Sequence, residues 1–123
     1  MTTLRTERLL LRPPTLDDVD LAGELLGDER VMRFLGGGVV PREAWPVVVE
    51  KWLERWRDND MGVFLLEHDG RFVGRCGILM WDTRTWTLSK RGEPSAVPEL
   101  GWTLAYDAWG NGYATEAARA VRD

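Results

Sequence analysis

The chain holds one cysteine, Cys76, so no internal disulfide can form, and a cytoplasmic setting is expected. Cys76 stands between Arg75 and Gly77 in a strand-like run, where a packed, inert thiol is the plain reading. Histidine is equally scarce, with His68 alone. One His, one Cys and carboxylates at unrelated spacing cannot build a metal cluster, and they do not supply a Ser-His-Asp or Cys-His nucleophile system either. His68 sits beside the turn pair Asp69-Gly70 and reads as a surface side chain. Long hydrophobic runs are absent. Ile78 to Trp81 is typical of the longest, and charge runs through the first twelve residues, so neither a membrane span nor a secretory leader is expected. Positive charge is in deficit, with a formal net charge of -4. That argues against non-specific nucleic-acid binding, which relies on Lys and Arg neutralising phosphates.

What the chain does have is a globular balance. It has 123 residues, 44% hydrophobic and 29% charged, which predicts one soluble domain over residues 1–123. Leu9-Leu10-Leu11 reads as a short strand halted by Pro13-Pro14. Thr15 with Asp18 resembles a capping box, and Val19, Ala22, Leu25 and Leu26 follow on one helical face. Asp28 could cap a second short helical stretch, Glu29 to Leu35. Gly36-Gly37-Gly38 is a loop rather than a phosphate cradle, because no Lys-Ser/Thr follows it. The strongest helix signal is Trp45, Val48, Val49, Trp52, Leu53 and Trp56, a stripe whose strict spacing marks it as core rather than a stacking platform.

From Met61 the period changes. Gly62 to His68 and Arg71 to Trp81 are strand-like runs around Asp69-Gly70, a hairpin signal. The polar stretch Asp82 to Val97 reads as a loop or ragged hairpin, and Pro98 opens a further strand, Glu99 to Ala105. A glycine-bearing turn then leads into a helix with Ala114, Ala117, Ala118 and Val121 in its apolar stripe. The order predicts a mixed α/β (α+β) class with a largely antiparallel sheet flanked by helices.

Chemistry concentrates between Glu99 and Ala118. A strand runs into a tight turn holding Gly110 and Gly112, and a helix begins at once. Unpaired backbone N–H groups and the helix dipole make such a start an anion site. Glycines let the backbone approach a phosphate closely, and Thr115 could add a hydroxyl. A Walker loop needs Gly-Lys-Ser/Thr, which is absent, and a dinucleotide fingerprint fails because Thr115 stands at its third glycine.

The segment resembles motif A of the GNAT superfamily of N-acetyltransferases, [QR]-x-x-G-x-[GA], whose loop cradles the pyrophosphate of acetyl-CoA. Trp109 to Ala114 reads W-G-N-G-Y-A, with Gly112 and Ala114 matching and Trp109 in the place of Gln/Arg. The form W-G-x-G-Y-A-T-E-A is similar to the branch of ribosomal-protein N-terminal acetyltransferases. So are T-E-R-L-L-L-R-P from Thr6, D-E-R-V-M-R-F-L from Asp28 and G-R-F-V-G-R-C-G from Gly70, in the family's order. The resemblance implies an acetyl-CoA-dependent N-acetyltransferase without a metal, acting on a primary amine, a protein N-terminus first among the acceptors. It implies that Trp102, Thr103, Leu104, Trp109, Gly110, Asn111, Gly112, Tyr113, Ala114 and Thr115 hold the cofactor. It assigns acceptor contacts to Met32, Arg33 and Phe34, and makes Glu99 the candidate general base. A non-catalytic acyl-CoA-binding or interaction module is the competing reading, and an inactive truncated remnant is a third.

The family fold continues past its third helix with a strand that splays from the fourth. This sequence stops at Asp123, so the resemblance also implies a truncated fold. An exposed sheet edge, open to pairing with a second copy, is the expected consequence.

Overall fold

The computed structural model describes residues 2–33, 35, 38–85, 87–90 and 92–122. Among these, six strands form one sheet in which every pairing is antiparallel. The strands are β1 (Leu4–Arg5), β2 (Leu10–Arg12), β3 (Val63–His68), β4 (Arg71–Asp82), β5 (Thr87–Leu88) and β6 (Ala96–Leu104). The helices are α1 (Val19–Leu26), α2 (Glu29–Met32), α3 (Trp45–Asn59) and α4 (Tyr113–Arg122).

The local signals operate as expected in most places. Thr15 accepts from the Asp17 N–H, and the Asp18 carboxylate takes the Thr15 N–H at 2.6 Å, closing a capping box on the 3-10 turn Leu16–Asp18 that runs into α1. Asp18 also accepts two bonds from the Arg12 guanidinium, at 2.9 and 2.8 Å, which ties β2 to the helix start. Pro46 lies in the first turn of α3, where its missing N–H costs nothing. Asp69 and Gly70 both take positive φ, 50° and 78°, as the tight hairpin between β3 and β4 demands.

Two boundaries differ from the sequence reading. Strand β6 begins at Ala96, so Pro98 lies inside it opposite Met80 rather than at its start. Proline is tolerated there because β4 is the only described strand that pairs with β6, leaving the other edge open. Helix α2 stops at Met32 instead of reaching Leu35. Phe34 and the pair Gly36-Gly37 lie outside the described residues.

The sheet separates two cores. On one face, Leu9, Leu11, Phe64, Leu66 and Cys76 meet Tyr113 and Ala117 of α4. On the other, Val63 and Leu65 meet Ala22, Leu25, Val49 and Trp52 of α1 and α3. The tryptophan stripe is therefore core, and the Trp56 indole also donates to the Val63 carbonyl at 2.8 Å. Gly74 sets how close β6 comes. A Cβ there would lie 2.4 Å from the Thr103 carbonyl oxygen and 2.8 Å from Leu104 Cα. Only glycine lets β4 and β6 approach at this point.

Candidate functional site at the β6–α4 junction

β6 ends at Leu104, a 3-10 turn covers Tyr106–Ala108, and α4 starts at Tyr113. Between them Gly110 and Gly112 both adopt left-handed backbone, with φ of 81° and 77°. That conformation disfavours any residue with a Cβ, which is why glycine occupies both places. A Cβ on Gly110 would meet no described residue within 4 Å, so among the described residues the space beside Gly110 is open. The first helical bond runs from the Glu116 N–H to the Gly112 carbonyl, at 3.2 Å. The N–H groups of Tyr113, Ala114 and Thr115 precede it and have no acceptor inside the helix. With the helix dipole behind them, they form an anion cradle.

The turn is braced from three sides. The Asn111 side-chain amide donates to the Ala108 carbonyl at 2.9 Å and the Trp109 carbonyl at 3.3 Å. The Trp109 indole donates to the Leu104 carbonyl at 3.0 Å, so the expected cofactor-side tryptophan also fastens the strand end. The third brace comes from the N-terminal segment. Glu116 accepts from Thr6 Oγ1, from the Arg8 N–H at 2.9 Å and from Arg8 Nε at 2.7 Å. A further guanidinium nitrogen of Arg8 donates to the Asn111 carbonyl at 2.7 Å, and the guanidinium lies 4.7 Å from the centre of the Tyr113 ring. Partial burial pushes the Glu116 carboxyl up, but the bonds from Thr6 and Arg8 outweigh it and hold the group below its usual value.

Neither Arg8 nor Glu116 was singled out from sequence as part of the site. A glutamate in the first turn of α4 and a charge-flanked first strand are signals too common to connect over 108 residues. Arg8 places a cation beside a cradle that could have worked without one. The hollow there, about 610 Å³, is bordered by Arg8, Gly112, Thr115, Glu116 and Arg119. His68 is half-buried rather than a plain surface residue. Its Nδ1 lies 2.9 Å from the Arg8 carbonyl, so that nitrogen carries the proton and donates.

Along β6 a second feature meets the turn. A cleft of about 270 Å³ has Trp102, Thr103, Leu104, Trp109 and Gly110 on one side and Val31 and Leu35 on the other. Five of the residues expected to hold a cofactor thus share one cleft. Tyr113 departs from that expectation in part. Its side chain is buried beneath Arg8 and does not line this cleft. Of the expected acceptor residues, Met32 is buried in the α1–α3 core and Arg33 is exposed, while Phe34 lies outside the described residues. Val31 and Leu35, their neighbours, are the ones that reach the cleft.

Glu99 is exposed on β6 opposite Leu79, and its side chain makes no hydrogen bond or ion pair with any described residue. Burial does seal Cys76, pushing its thiol up to about 11 despite the neighbouring Arg75, so it is not a nucleophile near neutral pH. Among the described residues no group of three or more His, Cys, Asp or Glu is placed to hold a metal ion. Nor is any described helix long and apolar enough to cross a membrane.

A largely antiparallel sheet whose last strand runs through two left-handed glycines into a helix, with a cleft along that strand, defines an acyltransferase-type α/β fold. The chain belongs to the acetyltransferase (GNAT) domain family, whose model matches residues 8–123. It is 35% identical to an uncharacterized protein, YkkB, of Bacillus subtilis (strain 168), covering 99% of this chain and 67% of that one. The crystal structure of an acetyltransferase from Agrobacterium tumefaciens str. C58 superposes with a TM-score of 0.76 at 31% identity, covering 100% of this chain and 66% of that one. The chain therefore spans about two thirds of the length of these relatives. A ribosomal alpha-N-protein acetyltransferase, RimL, in complex with coenzyme A shares the fold, with a TM-score of 0.73. At 13% identity, over 98% of this chain and 66% of that one, it is a distant neighbour, and the narrower resemblance to its branch does not carry over.

Proposed function

We propose that the chain binds acetyl-CoA and, as part of an N-acetyltransferase, passes the acetyl group to a primary amine. The observation that carries this reading is the glycine turn at the start of α4, where two left-handed glycines precede the first N–H groups of the helix, with no described residue over Gly110 and the Arg8 guanidinium beside Gly112. The pyrophosphate belongs on Gly110 to Thr115. The pantetheine arm belongs in the cleft along Trp102, Thr103 and Leu104, where the free edge of β6 offers backbone partners. The same edge is where a second copy of the chain would pair.

Glu99 is the proposed base. It takes a proton from the ammonium form of the acceptor, directly or through water. The neutral amine then attacks the thioester carbonyl, the N–C bond forms, the C–S bond breaks, and the proton that the attacking nitrogen sheds goes to the departing thiolate, which leaves as coenzyme A. Backbone N–H groups of β6 are the candidate donors for the oxygen that gains charge. A protein N-terminus is the first acceptor to try.

The test is calorimetric titration of acetyl-CoA into the chain, with Gly112→Trp as the control. A residue with a Cβ is strained at φ 77°, and the indole would fill the cradle. Binding that disappears in the variant supports the reading. A folded, monodisperse chain that takes up no acetyl-CoA sinks it. Binding without release of thiol in the presence of amines would leave the non-catalytic acyl-CoA-binding reading standing.

A further inference from the structure

Among the described residues, two side-chain nitrogens are sealed from solvent without a hydrogen-bond partner, Nε of Arg75 and Nε1 of Trp81, and both belong to β4. In an antiparallel sheet, directly paired residues share a face and alternate residues along a strand do too. Arg75 is paired with Leu65 on β3 and Thr103 on β6. Leu65 belongs to the α1–α3 core, so Arg75 and Thr103 lie on that face. The same register puts Trp81, Leu79, Gly101 and Glu99 there. Both orphaned donors therefore share a sheet face with the proposed base.

Arg75 has no carboxylate for company among the described residues. The charged neighbour that acts on it is a second cation, Arg55 of α3. Burial pulls the guanidinium below its ordinary value. The adjacent Cys76 opposes the shift, and Arg55 adds to it. A guanidinium taken partly out of water without an anion is costly, and an orphaned buried donor in a folded protein calls for a specific partner. The neighbourhood has room for one. A Cβ on Gly101 would meet no described residue within 4 Å, so among the described residues there is open space over Gly101, between Thr103 and Glu99. Thr103, paired with Arg75, also lines the β6 cleft.

We propose that Arg75 receives a carboxylate carried by the acetyl acceptor, which lies over Gly101 with its amine toward Glu99. The proposal rests on the acetyl-transfer reading above and narrows its substrate class. Thr103 and Glu99 are four residues apart, about 13 Å of strand at ~3.3 Å per residue. The Arg75 and Glu99 side chains share that span with an acceptor whose amine and carboxylate stand a few bonds apart. The planar guanidinium fork suits a carboxylate, which it can hold with two parallel bonds. Polyamines and aminoglycosides are disfavoured, since their extra positive charge would face Arg75 and Arg55. Two sources fit the same chemistry: a free amino acid, and a peptide whose first residue is acidic.

The experiment measures thiol release from acetyl-CoA with matched acceptor pairs: alanine against alaninamide, and an aspartate-first tripeptide amide against its asparagine-first counterpart. The carboxylate member of at least one pair should have a kcat/KM roughly tenfold higher, the scale of a charge-assisted hydrogen bond. Which pair shows it identifies the source. In Arg75→Met the ratio should fall to about one. Arg75→Lys, which keeps the charge without the fork, should retain part of it, and circular dichroism of both variants controls for folding. Equal rates within both pairs, or a preference that survives in Arg75→Met, overturns the proposal. Failure to acetylate any acceptor while acetyl-CoA still binds would instead defeat the transfer reading. Arg75 is then judged by thermal unfolding in sodium acetate against sodium chloride at equal ionic strength. A stabilisation by acetate confined to the unsubstituted chain keeps the anion site, and an equal response in Arg75→Met removes it.

Discussion

Replacing Glu116 should unfasten the cradle from the N-terminal segment. In Glu116→Ala three bonds disappear, from Thr6 Oγ1, the Arg8 N–H and Arg8 Nε. A neutral bond contributes about 1 kcal/mol and a charge-assisted one about 1.5 to 3 kcal/mol. Arg8 is partly exposed, so solvent screening brings each of the three bonds down to about 1 kcal/mol or less. The expected loss is about 2 to 3 kcal/mol, which in a chain of this length lowers the melting temperature by about 10 °C. Glu116→Gln keeps an acceptor oxygen and should lose about half as much. The effect has a pH signature. The folded carboxyl is held below its ordinary 4.5, so its stabilisation is complete above that value and fades as the pH falls below it toward the depressed one. Melting curves of the chain and the variant should therefore differ fully at pH 7 and converge on acidification below 4.5. A melting temperature changed by under about 2 °C, or a gap that does not narrow in acid, would refute the reasoning.

Other substitutions probe the frame around the site. Gly74→Ala drives a methyl to 2.4 Å from the Thr103 carbonyl, so β6 must shift; chemical denaturation should show a loss of about 2 to 3 kcal/mol, and acetyl-CoA affinity should fall with it. Asp18→Ala removes two of the Arg12 guanidinium's bonds, leaving its bond to Glu67 in place, and opens the capping box, for a loss of about 2 to 3 kcal/mol by urea titration. Burial raises the Asp18 carboxyl, but the Arg12 and Thr15 bonds outweigh it and hold the group below 3.8, so this contribution too is lost only as the pH falls below that value. Cys76 should resist a thiol reagent at pH 8 in the folded chain and react at once in denaturant, because its thiol sits near 11 and is fully buried.

Much of the architecture could be read from local patterns. The stripe from Trp45 to Trp56, the capping pair Thr15 and Asp18, and the Asp69-Gly70 turn each act through neighbours within a few residues, and each formed as expected. Gly110 and Gly112 were legible for the same reason, since a left-handed backbone is a property of the residue itself. The start of β6 was hidden because Ala96-Val97-Pro98 has no alternation, and only pairing with Met80, Trp81 and Asp82 makes it a strand. Strands β1 and β5 are two residues each, too short for any period to register. In the site, the cradle was visible and its fastening was not, because the bond between Arg8 and Glu116 exists only after the sheet has formed. Arg75 stands inside an apolar strand pattern, and the register that sets it on one face with Glu99 comes from three strands at once.

The fastening has a consequence for how the protein is made. Arg8 leaves the ribosome long before Glu116, 108 residues later. A nascent chain that has completed β4 can pair β2, β3 and β4, yet Thr6 and Arg8 must wait for α4 before their last bonds can form. Loop closure over that separation is among the slowest contacts in the chain. The pairing of β2, β3 and β4 should thus be in place while the turn at the start of α4 is still unfastened, and the contact between Arg8 and Glu116 forms after it. Pulse-labelled amide exchange during refolding would show it as an Arg8 N–H protected later than the amides of β3 and β4.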